Sequence, residues 1–535
     1  MLMNNHLTPF KRILLLPGLS CLLYLLGAQG YPFSLAAWIC LVPFVLSLHR
    51  ATPWQGVGSG FFCGFGFWFS SVWWLKIDLV TLVGLPPWQA WLCTLLFSAW
   101  HALPYALFGG AAARFRWLER SLTIPLAALS LVVIRAWFPH IFSGNEAHLL
   151  YEWPLLIQTL DLGGTPLLLF LVYLVNFLIA RGAVLRREQG SPLGSLAAAA
   201  MILLLLSGYG VFRLSQMHQQ MAGADERQTV AILSVQPNLP VTPNVQDVPP
   251  EDRHNNMAST LAFTRAAALQ HPTAELVVLP ELPCGDACAN QTAGDIPPLA
   301  VETGRIFMVP CLGLSNEASR SSFNSVICVG KSGVISEEYR KQVLVPFGEY
   351  LPFESRFPWL RRLFPGVMYF QPGEKSVLFD LGQGRLAIPS LCYEAIFSGH
   401  IRRFVEKGGN LLVNMVDDGW FGNSGASVTH LSLALFRSVE FRIPLARVAN
   451  SGISVCVQPT GEIVPGTRTL LFKKAVTEGR LYIPEERSPY TGWGDTLFRA
   501  LSICWGAGMT LALLVRRSRP TQLAAVDGSW RWFCL

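Results

Sequence analysis

Seven long apolar runs follow one another between residues 12 and 213, and an eighth occupies 497–515. A hydrocarbon core about 30 Å thick is crossed by about 20 helical residues, each advancing the helix by about 1.5 Å. The candidate spans are 12–29, 32–48, 57–77, 88–110, 121–138, 164–182, 194–213 and 497–515, the second and fifth being short. Ala28 and Gly30 resemble a small-residue cleavage site after the first run, but further apolar runs follow at once and it is read as a helix. Residues 222–490 differ: charges, alternating strands and amphipathic helices return, as in a soluble domain. The expected organisation is therefore 1–221 with helices one to seven, 222–490 as one soluble domain, and 491–535 with the last helix and a tail.

Basic residues orient this array. Lys11, Arg12 and Arg50 flank the first hairpin, and Arg114, Arg116 and Arg120 separate spans four and five. Arg181, Arg186 and Arg187 separate six and seven, and Arg516, Arg517 and Arg519 follow the eighth. The alternate loops carry little beyond Lys76 and Arg135. Positive residues stay on the cytoplasmic side, which places both termini inside and residues 222–490 outside. The net charge of +7 sits largely in these loops, with no basic patch interleaved with aromatics to argue for nucleic acid. The twelve cysteines lack metal-ligand spacing, and no HExxH, P-loop or dinucleotide fingerprint is present. Cys284 and Cys288 are the one close pair, either a small disulfide or two free thiols.

The soluble region alternates strand and helix. Strand-like segments are 229–238, 275–281, 305–314 and 322–330, with a helix over 256–270; 385–397 reads as strand then turn or helix, and 409–422 as strand then loop. Such alternation predicts an α/β domain. In α/β sheets reactive groups gather beyond the carboxyl ends of strands, and Glu281, Cys392 and Asp417 fall at such ends.

A thiol attacks a carbonyl as a thiolate and needs a base or a nearby cation. Glu281 can take the proton, Lys341 can stabilise thiolate and oxyanion, and Glu349 can orient the ammonium. Glu394, two residues from Cys392, can shape the pocket, although its charge opposes a thiolate close by. Each also has a plain reading: Cys392, Trp420 and Phe421 as core, Glu281 and Lys341 as surface charges. His430 is read as structural, with no acid and nucleophile placed to make it a triad base.

The motifs together go further. LPE (279–281), YRKQVLVPFGEYLP (339–352) and LCYEAIF (391–397) resemble the Glu-Lys-Cys signature of the nitrilase, or carbon-nitrogen hydrolase, superfamily. With DGWFG (418–422), RVANSGIS (447–454), GN (144–145) and PLLIQTLDLGG (154–164), the chain resembles the apolipoprotein N-acyltransferase family over nearly its whole length. The resemblance implies a polytopic α-helical membrane domain of about eight spans with a nitrilase-like α-β-β-α sandwich on its periplasmic side, in a bacterial inner membrane. It implies Glu281 as general base, Lys341 as oxyanion-stabilising cation and Cys392 as nucleophile, with the Tyr393 N–H as second oxyanion donor. Glu349, Tyr393, Glu394 and Asn324 match supporting positions, and Trp420, Phe421 and Phe347 match lipid-pocket positions. Three features depart from the family pattern: Asp417 stands where Asn is usual, Val245 near an expected Trp, and ELPCGD follows the glutamate.

The implied reaction is a ping-pong transfer without metal or cofactor. An acyl chain would pass from the sn-1 ester of a phospholipid, phosphatidylethanolamine being the expected donor, through a Cys392 thioester to the α-amine of a diacylglyceryl-cysteine lipoprotein. The protein is expected to act as a monomer. Segment 352–370 interleaves aromatics with Arg356, Arg361 and Arg362 and reads either as an interfacial arm or as a loop packed on the domain. Two rival functions remain from the sequence: a membrane-tethered amidohydrolase using water in place of the amine, and a non-catalytic scaffold or transporter. Against the latter, Arg135 and Asp161 are the main intramembrane charges and form no obvious relay.

Overall fold

The computed structural model describes residues 8–240, 250–281, 292–314 and 322–517; Val245, Cys284, Cys288 and Arg519 lie outside them. The chain divides into two compact units, Met1–Gly494 and Asp495–Leu535, the described part of the second being largely the helix Thr496–Arg517.

Among the described residues, three helices have the length and apolar composition to cross a membrane: Pro87–Phe115, Leu160–Arg187 and Leu193–Ala222. The expected continuous helix over 32–48 is not one. The chain forms a 3-10 turn at Phe33–Trp38 and a short helix at Val42–Leu48, with Pro32 before the first piece and Pro43 within the second. Proline removes an N–H donor and breaks a helical ladder. The backbone groups freed at the break are taken up by Asn176, whose side chain accepts from Leu41 N (2.8 Å) and donates to Ala37 O (2.9 Å). The expected span 57–77 is likewise two helices, Pro53–Val72 and Leu75–Thr81. The span at 121–138 holds a helix of only 14 residues, Ile124–Trp137.

Helices Pro53–Val72 and Pro87–Phe115 meet backbone to backbone. A Cβ on Gly60 would collide with the Tyr105 carbonyl oxygen, and one on Gly56 with that of Gly109. Small residues allow such approach, and dispersion contacts then hold the pair.

Among the described residues, the soluble region is built on eleven strands: β1 Thr229–Gln236, β2 Leu276–Val278, β3 Ile306–Leu314, β4 Ser322–Val329, β5 Tyr339–Arg340, β6 Phe379–Asp380, β7 Leu386–Leu391, β8 Leu411–Val416, β9 Leu445–Ala449, β10 Val455–Val457 and β11 Ala475–Tyr482. They form two sheets, in the orders β11-β1-β2-β3-β4-β5 and β10-β9-β8-β7-β6. The triplets β1-β2-β3 and β7-β8-β9 are parallel and nearly all buried, as strands covered on both faces must be. Leu233, Val235, Val277, Phe307 and Val309 pack under helices Pro250–Gln270 and Thr292–Thr303. The sheets face each other through β1 with β9 and β4 with β7, and helices Ser398–Glu406 and Ala426–Phe441 cover the second sheet. This is the expected α-β-β-α layering. Cys311, in β3, is disulfide-bonded.

Buried charge joins the soluble region to the N-terminal helices. Arg442 donates to Asp161 Oδ2 at 2.6 Å, while Arg213 and Tyr209 also bond that carboxylate at 2.8 and 2.7 Å. Glu440 accepts from the amide and hydroxyl of Thr165 at 3.0 and 2.8 Å. Arg135, the other charge singled out in the sequence, is ion-paired with Glu146 and bonded to Tyr105 and Tyr173. Both charges are thus satisfied within structural clusters. Removing one partner of a buried pair strands the other. Asp161→Ala is therefore expected to destabilise the protein by about 3–5 kcal/mol, read from unfolding in detergent; a loss below about 1 kcal/mol would show that the pair contributes nothing at this junction.

Candidate active site

Glu281, Lys341 and Cys392 each follow the end of a strand, β2, β5 and β7 in turn. β7 runs parallel to β8 and ends at Leu391; Cys392 follows in the left-handed region, φ 47°, and opens the 3-10 turn Cys392–Ile396. Positive φ is strained for a residue bearing a Cβ, and strain of this kind persists only where surrounding contacts enforce it. Those contacts are present. The Cys392 carbonyl accepts from Asn414 Nδ2 and from His430 Nε2, each at 3.2 Å. Glu394 ties down the turn, accepting from Leu391 N (2.8 Å), Tyr339 OH (2.7 Å), Gln342 N (2.6 Å) and Val343 N (3.1 Å).

Lys341 follows β5, and its N–H is bonded to the carbonyl of Asn324 in β4 at 2.7 Å. Its ammonium, 1% exposed, lies 3.2 Å from Glu281 Oε1 and 2.6 Å from Glu349 Oε1. Asn324 Nδ2 donates to the same two carboxylates, at 2.7 and 3.3 Å. Glu349 Oε2 accepts from Val345 N at 2.8 Å, closing the loop after Lys341. Burial opposes the charge on Lys341, but Glu281 and Glu349 outweigh it and hold the ammonium above its ordinary value. The Cys392 thiol behaves in the opposite way: burial pushes it well up, Glu281 adds to the rise, and Lys341 only partly opposes it. The thiol therefore rests protonated, and attack requires a base at the moment of reaction.

Glu281, Lys341, Glu349, Cys392 and Tyr393 share one cavity of about 490 Å3. Phe347, Trp420 and Phe421 line it too, as do Trp68, Leu75, Leu82, Leu96 and Phe97 of the N-terminal helices. The Phe421 ring lies 4.7 Å from that of Trp74, tilted by 60°, and the Tyr393 hydroxyl donates to the Ile141 carbonyl. Segment 352–370 closes part of the wall through Phe364, Met368 and Phe370. It is docked rather than free: Phe364 and Val367 pack with Leu79, Val83 and Leu85, and Arg361 is paired with Glu354 and stacked on Tyr369. Its outer side leaves Phe353, Phe357, Trp359 and Leu363 exposed. The docking agrees with the reading of a loop packed on the domain.

Two sequence expectations need correction. Glu394 does not border the cavity; its carboxylate is fully buried and engaged by Leu391 N, Tyr339 OH, Gln342 N and Val343 N, so it acts on backbone geometry and not on the pocket. An acid does stand beside His430, contrary to expectation: Asp418 Oδ1 lies 2.9 Å from His430 Nδ1, and Arg447 bonds Asp418 Oδ2 at 2.8 Å. The ring meets the carbonyl of Cys392, so the Arg447–Asp418–His430 chain holds the elbow in place. Asp418 and Arg447 sat unassigned in the DGWFG and RVANSGIS motifs. The available signal was an arginine inside the apolar strand β9, a position tolerated only with a buried counter-charge.

Two family descriptions match the chain: "Apolipoprotein N-acyltransferase N-terminal domain" over residues 20–178 and "Carbon-nitrogen hydrolase" over 229–470. An apolipoprotein N-acyltransferase of Geobacter metallireducens is 30% identical over 95% of this chain and 96% of its own length. Those of Brucella suis and Vibrio vulnificus are 28% and 26% identical, covering 88% and 89% of this chain and 88% and 93% of theirs. Among solved structures, Nit3 of Saccharomyces cerevisiae, from branch 10 of the nitrilase superfamily, covers 50% of this chain and 96% of its own at TM-score 0.37 and 17% identity, too remote to carry an argument.

Asp417, directly after β8, adds a further acid beside Glu281 and Glu349: its backbone N–H donates to Glu281 Oε2 at 3.3 Å, and Asn450 bonds its Oδ2 at 3.3 Å. Burial and then the nearby Glu281 push its carboxyl from 3.8 up to about 7. In that interval the folded protein holds a proton that the unfolded chain has released, so this contribution to stability is lost as pH rises. Relative to Asp417→Asn, the wild type is expected to lose thermal stability between pH 3.8 and about 7 and to lose no more above it. A stability difference independent of pH would show that Asp417 ionises normally.

Proposed function

The chain belongs to the apolipoprotein N-acyltransferase family, and from that premise we propose that Cys392 carries an acyl chain from a phospholipid to the N-terminal α-amine of a diacylglyceryl-cysteine lipoprotein. The observation that carries the mechanism is the buried Glu281–Lys341–Glu349 cluster sharing one cavity with Cys392 and with the apolar side chains of the N-terminal helices. Glu281 takes the Sγ proton as sulfur attacks the sn-1 carbonyl. The tetrahedral oxyanion is stabilised by Lys341 Nζ and the Tyr393 N–H. Collapse breaks the C–O bond, and Glu281 returns its proton to the lysophospholipid alkoxide. The acceptor amine then attacks the thioester, Glu281 removes the amine proton, and the C–S bond breaks to restore the thiol.

Phosphatidylethanolamine is the proposed donor, and a monomer the proposed acting form. Asn324 and Glu349 position Lys341, while Trp420, Phe421 and Phe347 guide acyl chains. The protein is a bacterial membrane protein; we place it in the inner membrane with eight crossings, the broken pair 33–38 and 42–48 making one of them. Residues 222–490 form the periplasmic catalytic domain between 1–221 and 491–535, in keeping with the distribution of Arg and Lys among the loops. Substrates anchored in a bilayer seldom meet a nucleophile in bulk water, which explains why the cavity has membrane-side walls.

Intact-mass analysis after incubation with phospholipid tests this. An acyl adduct is expected on the wild type, none on Cys392→Ala, and discharge onto a diacylated peptide. Release of free fatty acid at an equal rate with and without peptide would instead mark a hydrolase.

A further inference from the structure

One carboxylate in the catalytic cavity has no part in the acyl-transfer scheme. Asp78, in the short helix Leu75–Thr81, lines the same cavity as Glu281, Lys341 and Cys392. Its Oδ1 is fully enclosed and has no hydrogen-bond partner among the described residues. Lys76, two residues away, is engaged elsewhere, its Nζ 3.9 Å from the ring centroid of Trp91 and 5.3 Å from that of Trp73. The helix is not free to turn the acid out: Leu79 packs with Val83, Leu85 and Leu351, and Trp74 packs on Phe421.

The charge around it is one-sided. Among the described lining residues, the carboxyls Asp78, Glu281, Glu349 and Asp417 face a single Lys or Arg, Lys341. Lys341 is already bonded to Glu281 and Glu349. A half-buried carboxylate with one oxygen enclosed among apolar side chains is costly to charge until a cation or donor reaches its other oxygen. An ammonium supplies both charge and N–H donors, and such charge-assisted bonds are among the stronger ones in proteins.

We infer that Asp78 binds the primary ammonium of an amphiphilic substrate whose acyl chains lie on the apolar walls of the cavity. This rests on the acyl-transfer reading above, which brings two such ammonium groups: the ethanolamine headgroup of the donor and the α-amine of the acceptor. In the first case Asp78 selects the donor lipid. In the second it captures the acceptor before Glu281 removes its proton.

The test uses full-length wild type, Asp78→Asn and Asp78→Ser in detergent, matched for thermal unfolding. In one arm, thioester formation from phosphatidylethanolamine and from phosphatidylglycerol is timed by intact mass. In the other, pre-acylated enzyme is mixed with a diacylated peptide bearing a free N-terminus, and discharge is timed. Headgroup recognition lowers the phosphatidylethanolamine-to-phosphatidylglycerol rate ratio by about ten-fold in both variants. Acceptor recognition slows discharge by about ten-fold while that ratio holds. A ratio and a discharge rate both within about two-fold of wild type overturn the inference. Absence of a thioester on the wild type would overturn the acyl-transfer reading itself, and that failure is seen before any variant is compared.

Discussion

The ammonium of Lys341, buried between Glu281 and Glu349, is the interaction on which the rest of the site depends. A lysine removed from water stays charged only if opposite charge surrounds it. Meeting that condition brings together the turn after β2, the strand pair β4–β5 and the loop that returns through Glu349. Asn324 then has little freedom, since its amide donates to both carboxylates. Burial first, and then the charge of Glu281, keep the neighbouring thiol protonated, with Lys341 opposing only in part. Chemistry here is accordingly base-assisted, with the cation aimed at charge that develops later.

The elbow at Cys392 solves a second problem, that of presenting sulfur beyond a fully buried strand. Positive φ at a non-glycine position needs contacts that enforce it, and these come from both sides. Glu394 fixes the amides before and across from the turn, while Asn414 and His430 fix the carbonyl. His430 is held in turn by Asp418 and Arg447. Polar groups buried at this density are stable only when each has a partner, so the elbow and its supports form one unit.

Legibility in the sequence followed the range of the interactions involved. Strand β7 ending at Leu391 and strand β8 ending at Val416 were visible as apolar segments closed by polar ones. The placement of Cys392 and Asp417 beyond them followed directly. The break at 39–41 was harder to see, because hydropathy averages over a window and Asn176, which satisfies the break, lies far along the chain. Glu394 was misjudged for a related reason: proximity in sequence to Cys392 says nothing about which way a carboxylate points after a tight turn. Asp78 went unremarked because one acid after an apolar run looks like an ordinary helix end.

The sequence by itself determined the kind of molecule: a series of membrane-length apolar runs, an α/β domain, and acid, amine and thiol side chains at the ends of strands. Those properties depend on local composition and period, which a linear chain displays openly. Only the tertiary structure decided which charges meet. The pairing of Asp161 with Arg442, the capture of Lys341 by two glutamates, the support of Cys392 by His430 and the isolation of Asp78 all join residues remote in the chain. Electrostatic energy depends on separation and burial in space, and neither quantity is written in the order of the residues.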